Sequence, residues 1–268
     1  MDEHTPSFDC NCHSTEQPSL ARGSFMLTSA LLSVGAMAGC STGSAARKSA
    51  LDDTKTAIRN TALTQDRRDA LSPDDLIKIA KEGNERFRKG EQHPRDFLAE
   101  QQSSAAGQYP AAVLLTCIDS RAPAEILLDL GIGDVFNSRV AGNIINEDIL
   151  GSMEFACKLA GAKVVVVMGH TACGAIKGAI SDAKLGNLTA LLAKIKPAVN
   201  ATVYHGDRSA NNYSFVDAVA RTNVELTIKG IRANSPVLSD LEKAGTIKIV
   251  GAMYDISTGA VEFYDSAV

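Results

Sequence analysis

Two unbroken apolar runs, AAVLLTC ending at Cys117 and KVVVVMGH ending at His170, constrain the fold more than any other part of this chain. Both are rich in β-branched residues and leucine, and both are too short for a core helix. Neither alternates apolar with polar, so each strand is buried on both faces, as in a parallel sheet covered by helices. Further strands are expected near 134–140 and within 246–264, with helical patterns at Glu147–Ala160 and Leu188–Val199 between them. Strands alternating with helices give an α/β fold: a mostly parallel central β-sheet flanked by helices. A helix start is written out at Ser72, with Ser72 as N-cap, Pro73 at the first helical position, Asp75 at the third, and Leu71 placed to staple onto Leu76. Leu76, Ile79, Ala80, Gly83 and Phe87 then recur at helical spacing.

The first forty residues do not belong to that pattern. Phe25–Ala38 is an apolar run too short to span a bilayer and of the length of an export h-region. Met37, Ala38, Gly39 and Cys40 resemble a lipobox, whose cysteine would carry a lipid anchor, and Arg22–Leu27 resembles a twin-arginine signal with Gly23 in place of the second arginine. The preceding segment holds Asp2, Glu3, Asp9 and Glu16 against Arg22 alone, the wrong sign for the start of such a signal. The expectation is an export or lipoprotein segment over 1–40 and a periplasmic or membrane-anchored location, with a cytoplasmic protein as the alternative. Residues 41–70, rich in Ser, Thr, Ala and charge, read as a linker or N-terminal helical arm, and 71–268 as the folded domain. Removing the leader brings the formal charge from −4 close to neutrality, so nothing draws this domain to nucleic acid.

Cys10 and Cys12 fall in the leader and Cys40 at its end, which leaves Cys117, Cys157 and Cys173, an odd number and no disulfide framework. Cys157 lies within the helical pattern of Met153, Phe155, Ala156 and Leu159 and reads as packing. Cys117 and His170 close the two strands, and groups at the carboxyl ends of parallel strands share one crevice. In GHTACG (Gly169–Gly174), His170 and Cys173 stand three apart in a turn and so face one side. In CIDSR (Cys117–Arg121), alternation along an extended segment would point Cys117, Asp119 and Arg121 into one space. Two cysteines and a histidine are the donor set of a catalytic zinc that keeps one position for water. His205 stands in a loop with no partner motif, a surface position.

CxDxR followed about fifty residues later by HxxCG resembles the β-class carbonic anhydrases of bacterial type. The similarity runs from about Leu71 to the C-terminus and includes EGNERF (82–87), GQYP (107–110), RAPAE (121–125) and GDVFNSRVAGN (133–143). It implies one Zn2+ per subunit, held by Cys117, His170 and Cys173. It implies a carbonate dehydratase, a lyase converting CO2 reversibly to bicarbonate and a proton by zinc hydroxide attack, with Asp119 and Arg121 as the catalytic dyad. Gln108 matches a glutamine that lines the substrate pocket of the neighbouring subunit, and the family's homodimers and higher homo-oligomers give residues 41–70 a partner to embrace. Some members rest with the aspartate on zinc, which makes Asp119 a candidate fourth ligand. The bicarbonate-regulated ones use a tryptophan-containing pocket, and this chain has no Trp, so the open form is expected.

Two other readings share the motifs: a related zinc enzyme such as a carbon disulfide hydrolase, and a non-catalytic zinc or redox-sensing module in which Asp119 closes the metal. An assay with CO2 against CS2 separates the first. Four protein ligands and no hydration at pH 8.5 would mark the second.

Overall fold

The computed structural model describes residues 61–264. The apolar run Phe25–Ala38, Cys40 and the greater part of the 41–70 segment lie outside those residues. From the amino end, the described elements are α1 (Gln65–Asp69), α2 (Pro73–Lys89), α3 (Phe97–Ser104), β1 (Ala112–Thr116), α4 (Ala124–Leu127) and β2 (Val135–Arg139). There follow α5 (Glu147–Glu154), widening into a π turn over Phe155–Leu159, β3 (Val164–His170), α6 (Gly174–Ile180), α7 (Gly186–Ala201), α8 (Tyr213–Asn234), α9 (Pro236–Lys243), β4 (Lys248–Tyr254) and β5 (Val261–Phe263).

The sheet order is β2-β1-β3-β4-β5, parallel throughout except for the antiparallel edge strand β5. β1 and β3 are buried along their whole length, as their unbroken apolarity requires. Alternate residues serve different layers. Val113, Leu115, Val165 and Val167 pack with Met153 and Ala156 of the α5 segment and with Val224, Ile228 and Ile231 of α8. Leu114, Val164, Val166 and Met168 pack on the opposite face with Leu127 and Leu128, backed by Leu76, Ile77, Ala80 and Phe87 of α2.

α2 begins as its sequence dictates. Ser72 Oγ accepts from the Asp75 N–H at 3.2 Å while Asp75 Oδ2 accepts from the Ser72 N–H at 2.9 Å, a reciprocal capping box. It ends on Gly90 at φ 70°, a left-handed cap, with the Glu91 N–H on Arg86 O at 2.9 Å. A Cβ at Gly83 would lie 2.0 Å from the Leu128 carbonyl oxygen, so only glycine lets α2 settle on the turn after α4. Asn84 locks that contact, donating to Leu127 O at 3.0 Å and Gly259 O at 2.9 Å and accepting from the Val261 N–H at 2.8 Å. Residues 61–70 pack on the same domain: Arg68 is buried and donates to the Ala160 carbonyl, and Lys163 Nζ donates to the carbonyls of Arg68, Asp69 and Leu71.

α8, at 22 residues the longest helix described, is absent from the sequence expectations although its stripe is regular. Phe215, Val216, Val219, Val224, Ile228 and Ile231 are all fully sequestered, and each such side chain contributes about 1.5–3 kcal/mol. Asn223 and Thr227 interrupt that stripe as polar groups and therefore need partners.

Candidate metal centre

β1 neighbours both β2 and β3, so the chain leaves β1 toward one edge and returns on the other side of it. That is the switch point of a doubly wound sheet, where the loops after adjacent strands part and leave a crevice. In register, Thr116 pairs with Met168, which sets Cys117 beside Gly169 and His170 one step beyond. Cys173 follows from the turn into α6, whose N-cap it is. The sulfurs of Cys117 and Cys173 are 4.0 Å apart, and with the His170 ring nitrogen the three donor atoms lie within 4.8 Å of one another. All three residues are buried.

Local hydrogen bonds fix each donor. His170 Nδ1 lies 2.9 Å from Thr171 O, which commits that nitrogen as the N–H and leaves Nε2 as the lone-pair donor. Thr171 is held in turn: its N–H donates to Tyr254 O at 2.9 Å, and its Oγ1 accepts from the Ile256 N–H at 3.0 Å. Ala172 adopts φ 55°, a left-handed conformation, and its N–H donates to Asp217 Oδ1 at 2.8 Å. Cys117 Sγ accepts from the Gly142 N–H at 3.3 Å.

Asp119 and Arg121 pair through a turn rather than through strand alternation. β1 ends at Thr116, and Asp119 Oδ1 accepts from the Arg121 N–H at 2.9 Å while Ala122 N–H donates to Asp119 O at 3.0 Å. The guanidinium completes the clamp, Nε to Oδ1 at 3.0 Å and Nη2 to Oδ2 at 2.8 Å. Asp119 Oδ2 is 3.8 Å from His170 Nε2, beside the donor cluster with both its oxygens engaged by Arg121. Gln108 lies exposed in the loop before β1, and His205 is exposed as well.

The electrostatics follow from these contacts. The Cys173 thiol beside it holds Cys117 below the ordinary thiol range against the cost of burial, and the same contact, with burial, pushes Cys173 up. Burial works against a charge on His170, but the Cys117 sulfur outweighs it and the ring is held above its ordinary value. Arg121 holds the Asp119 carboxyl well below the usual carboxylate range. Burial alone pushes the Cys157 thiol up to about 12, as befits a packing residue in the core between sheet and α8.

Several contributors escaped sequence reasoning. Arg139, at the end of β2, donates to Cys117 O at 3.0 Å and Asp119 O at 2.6 Å, bracketing the exposed Ile118. Gly142, Asp217, Asn223 and Thr227 belong here too. Arg139 and Gly142 stood in the block 133–143, and the α8 residues were signalled by polar positions on an otherwise apolar stripe.

The donor chemistry fits a borderline divalent metal. His170 Nε2 is buried with no hydrogen-bond partner among the described residues, an orphan whose cost is removed by a cation between it and the two sulfurs. Fold and donors thus define a class: an α/β protein with a Cys–His–Cys metal site at the mouth of a doubly wound sheet. A profile of the carbonic anhydrase family matches residues 112–261. Carbonic anhydrase 2 of Mycobacterium tuberculosis is 36% identical over 190 residues, covering 70% of this chain and 91% of that one. The carbonic anhydrase of Mycolicibacterium smegmatis is 35% identical over 187 residues, 69% of this chain and 90% of its own. Among solved structures, the β-carbonic anhydrase of Aspergillus fumigatus aligns at a TM-score of 0.55 with 26% identity, over 73% of this chain and 91% of that one. A tetrameric β-carbonic anhydrase of Sordaria macrospora aligns at 0.54 with 28% identity, over 60% and 84%. This chain belongs to the carbonic anhydrase family, in its β class. Its reaction is the reversible hydration of CO2 to bicarbonate and a proton, and its metal is zinc.

Proposed function

We propose that Cys117, His170 and Cys173 hold the zinc ion, one per chain, and that Asp119 and Arg121 form the catalytic dyad. The observation that carries this reading is the partnerless, buried Nε2 of His170 converging with two sulfurs within 4.8 Å, with the clamped carboxylate at its edge. Zinc held there supplies the Lewis acidity that makes a water nucleophilic at moderate pH. Two thiolates offset the metal's charge, so the surrounding side chains must contribute more than at a three-histidine site. Asp119, ionised and fixed by Arg121, is an acceptor for the O–H of the attacking water and turns its lone pair toward the carbon of CO2. Arg121 keeps the carboxylate ionised and opposes its swing toward the metal ligands, which favours the arrangement with the fourth position open over one with Asp119 as a ligand.

The active unit in this reading is a homodimer or a larger homo-oligomer. Ile118 is 61% exposed between two site residues, with Ile126 and Ile132 also exposed, a set of apolar side chains suited to a second copy of the chain. The relative from Sordaria macrospora is tetrameric. Gln108, exposed on its loop, would then line the pocket of the neighbouring subunit. Export, with lipid on Cys40 and a periplasmic location, is the reading that Phe25–Ala38 and the residues after it support. Mass spectrometry of the native protein gives the mature N-terminus and any lipid; an unprocessed Met1 with no lipid favours a cytoplasmic enzyme.

The test of the site is CO2 hydration before and after Cys173→Ser, with zinc measured on both. The expected result is loss of zinc and activity together, and retained activity without zinc overturns the assignment. The same preparations assayed with CS2 separate the related hydrolase activity.

A further inference from the structure

The buried polar residues of α8 point toward the zinc site rather than toward one another. Asn223, 3% exposed, donates from Nδ2 to Gly142 O at 2.8 Å, and one turn further Thr227 Oγ1 donates to Asn143 O at 3.4 Å. Both acceptors belong to a left-handed turn, with Gly142 at φ 69° and Asn143 at φ 41°. That turn has no side-chain cap of its own. A Cβ on Gly142 would lie 2.6 Å from Ile195 Cδ1, so this left-handed position favours glycine and is shaped by packing from α7. The one bond the turn delivers to the site is the Gly142 N–H on Cys117 Sγ at 3.3 Å. The carbonyl that Asn223 grips and the N–H that meets the sulfur lie in the two peptide planes flanking the Gly142 Cα, so anchoring one plane holds the left-handed turn whose φ 69° and ψ 21° orient the other.

We propose that Asn223 is a positioning residue for the metal thiolate: through Gly142 O it anchors the left-handed turn that keeps the Gly142 N–H on Cys117 Sγ, and so sets how firmly that sulfur holds zinc. The physical basis is general. A hydrogen bond to a ligating thiolate draws charge from the sulfur and fixes its orientation, and such outer partners govern metal retention and electronic structure without touching the metal. The inference rests on zinc being held by Cys117, His170 and Cys173, and wild-type zinc content tests that separately.

The experiment compares wild type with Asn223→Leu, which keeps the branched shape of the side chain and removes the donor, and with Ile231→Ala, a cavity on the same helix away from the site. Three quantities are measured: thermal midpoint, rate of zinc loss to excess chelator well below every midpoint, and the sulfur-to-cobalt charge-transfer band of cobalt-loaded protein. The expectation for Asn223→Leu is zinc loss faster by about 10–100-fold and a displaced charge-transfer band. Ile231→Ala should lower the midpoint while leaving zinc loss and the band as in wild type. If Asn223→Leu does not fold, Asn223→Ser, whose hydroxyl is too short to reach Gly142 O, is read in the same way. Wild-type zinc loss and an unmoved band in the folded Asn223 variant overturn the proposal, and so does equal acceleration in Ile231→Ala. A wild-type protein that carries no zinc overturns instead the assignment of the ligands.

Discussion

Asp119 accepts three hydrogen bonds from Arg121, at 2.9, 3.0 and 2.8 Å, one from the backbone N–H across the turn and two from the guanidinium, so that both carboxylate oxygens are engaged at once. The carboxyl is therefore held well below its ordinary range. A carboxylate with a lowered folded-state value adds stability above its unfolded value of about 3.9, and that stability is lost as pH falls through the folded value. Asp119 is thus ionised across the working range and cannot shape the activity profile between pH 6 and 9.

Arg121→Ala frees the carboxylate and should lower kcat by about 10–100-fold with zinc content unchanged, as loss of an orienting partner does. Asp119→Asn should lower kcat further, by about 10²–10⁴-fold, through loss of the acceptor itself. Stopped-flow CO2 hydration with zinc measurement checks both. Activity of either enzyme should rise through the alkaline range, and a flat profile from pH 6 to 9 would count against a thiolate-ligated site. Wild-type kcat in Arg121→Ala would reduce the pair to a structural feature.

Arg139→Met keeps the aliphatic stem and removes the two bonds to the carbonyls of Cys117 and Asp119. The half-buried guanidinium donors contribute about 1.5–3 kcal/mol each at most, so a loss of about 2 kcal/mol is expected after screening. For a domain of this size that lowers the thermal midpoint by about 4–8 °C. Because the bonds bracket the loop bearing Asp119, kcat should fall more than KM rises. Steady-state kinetics showing only a KM change would contradict this.

At Gly83 two effects oppose each other. Alanine favours a helix interior by about 1 kcal/mol over glycine. A Cβ 2.0 Å from Leu128 O, a backbone atom, cannot be relieved by a rotamer change. Overpacking of this kind costs about 1–3 kcal/mol or more, so Gly83→Ala should be destabilising despite its better propensity, as thermal unfolding would register. A raised midpoint would mean that α2 slides freely over α4.

Cys157 should resist alkylation in the folded protein, since burial pushes its thiol up to about 12. Its sign in stability is the reverse of Asp119. Below the unfolded value of about 8.5–9 both states carry the proton and nothing changes; above it the unfolded thiol ionises, so stability falls as pH rises toward 12. Thiol labelling followed by peptide mass mapping should find Cys157 modified only on unfolding, and Cys157→Ala should flatten the alkaline loss.

The amino-acid sequence by itself determined the two buried strands, the helix start at Ser72 and the convergence of Cys117, His170 and Cys173, because these depend on local periodicity, capping chemistry and the rule that parallel strands end together. Asp119 and Arg121 were legible as neighbours, but for a different reason than spacing suggests: a turn, not an extended segment, brings them together. The support around them comes from contacts between elements distant in sequence. Arg139 reaches from β2 to the loop after β1, Asp217 reaches from α8 to the turn between His170 and Cys173, Asn223 reaches to the turn at Gly142, and Gly142 turns its N–H to a sulfur from 25 residues away in sequence. Such contacts depend on which elements become neighbours, and no periodicity records that. A buried polar group on an apolar helix face announces only that it has a partner, and the folded chain names it.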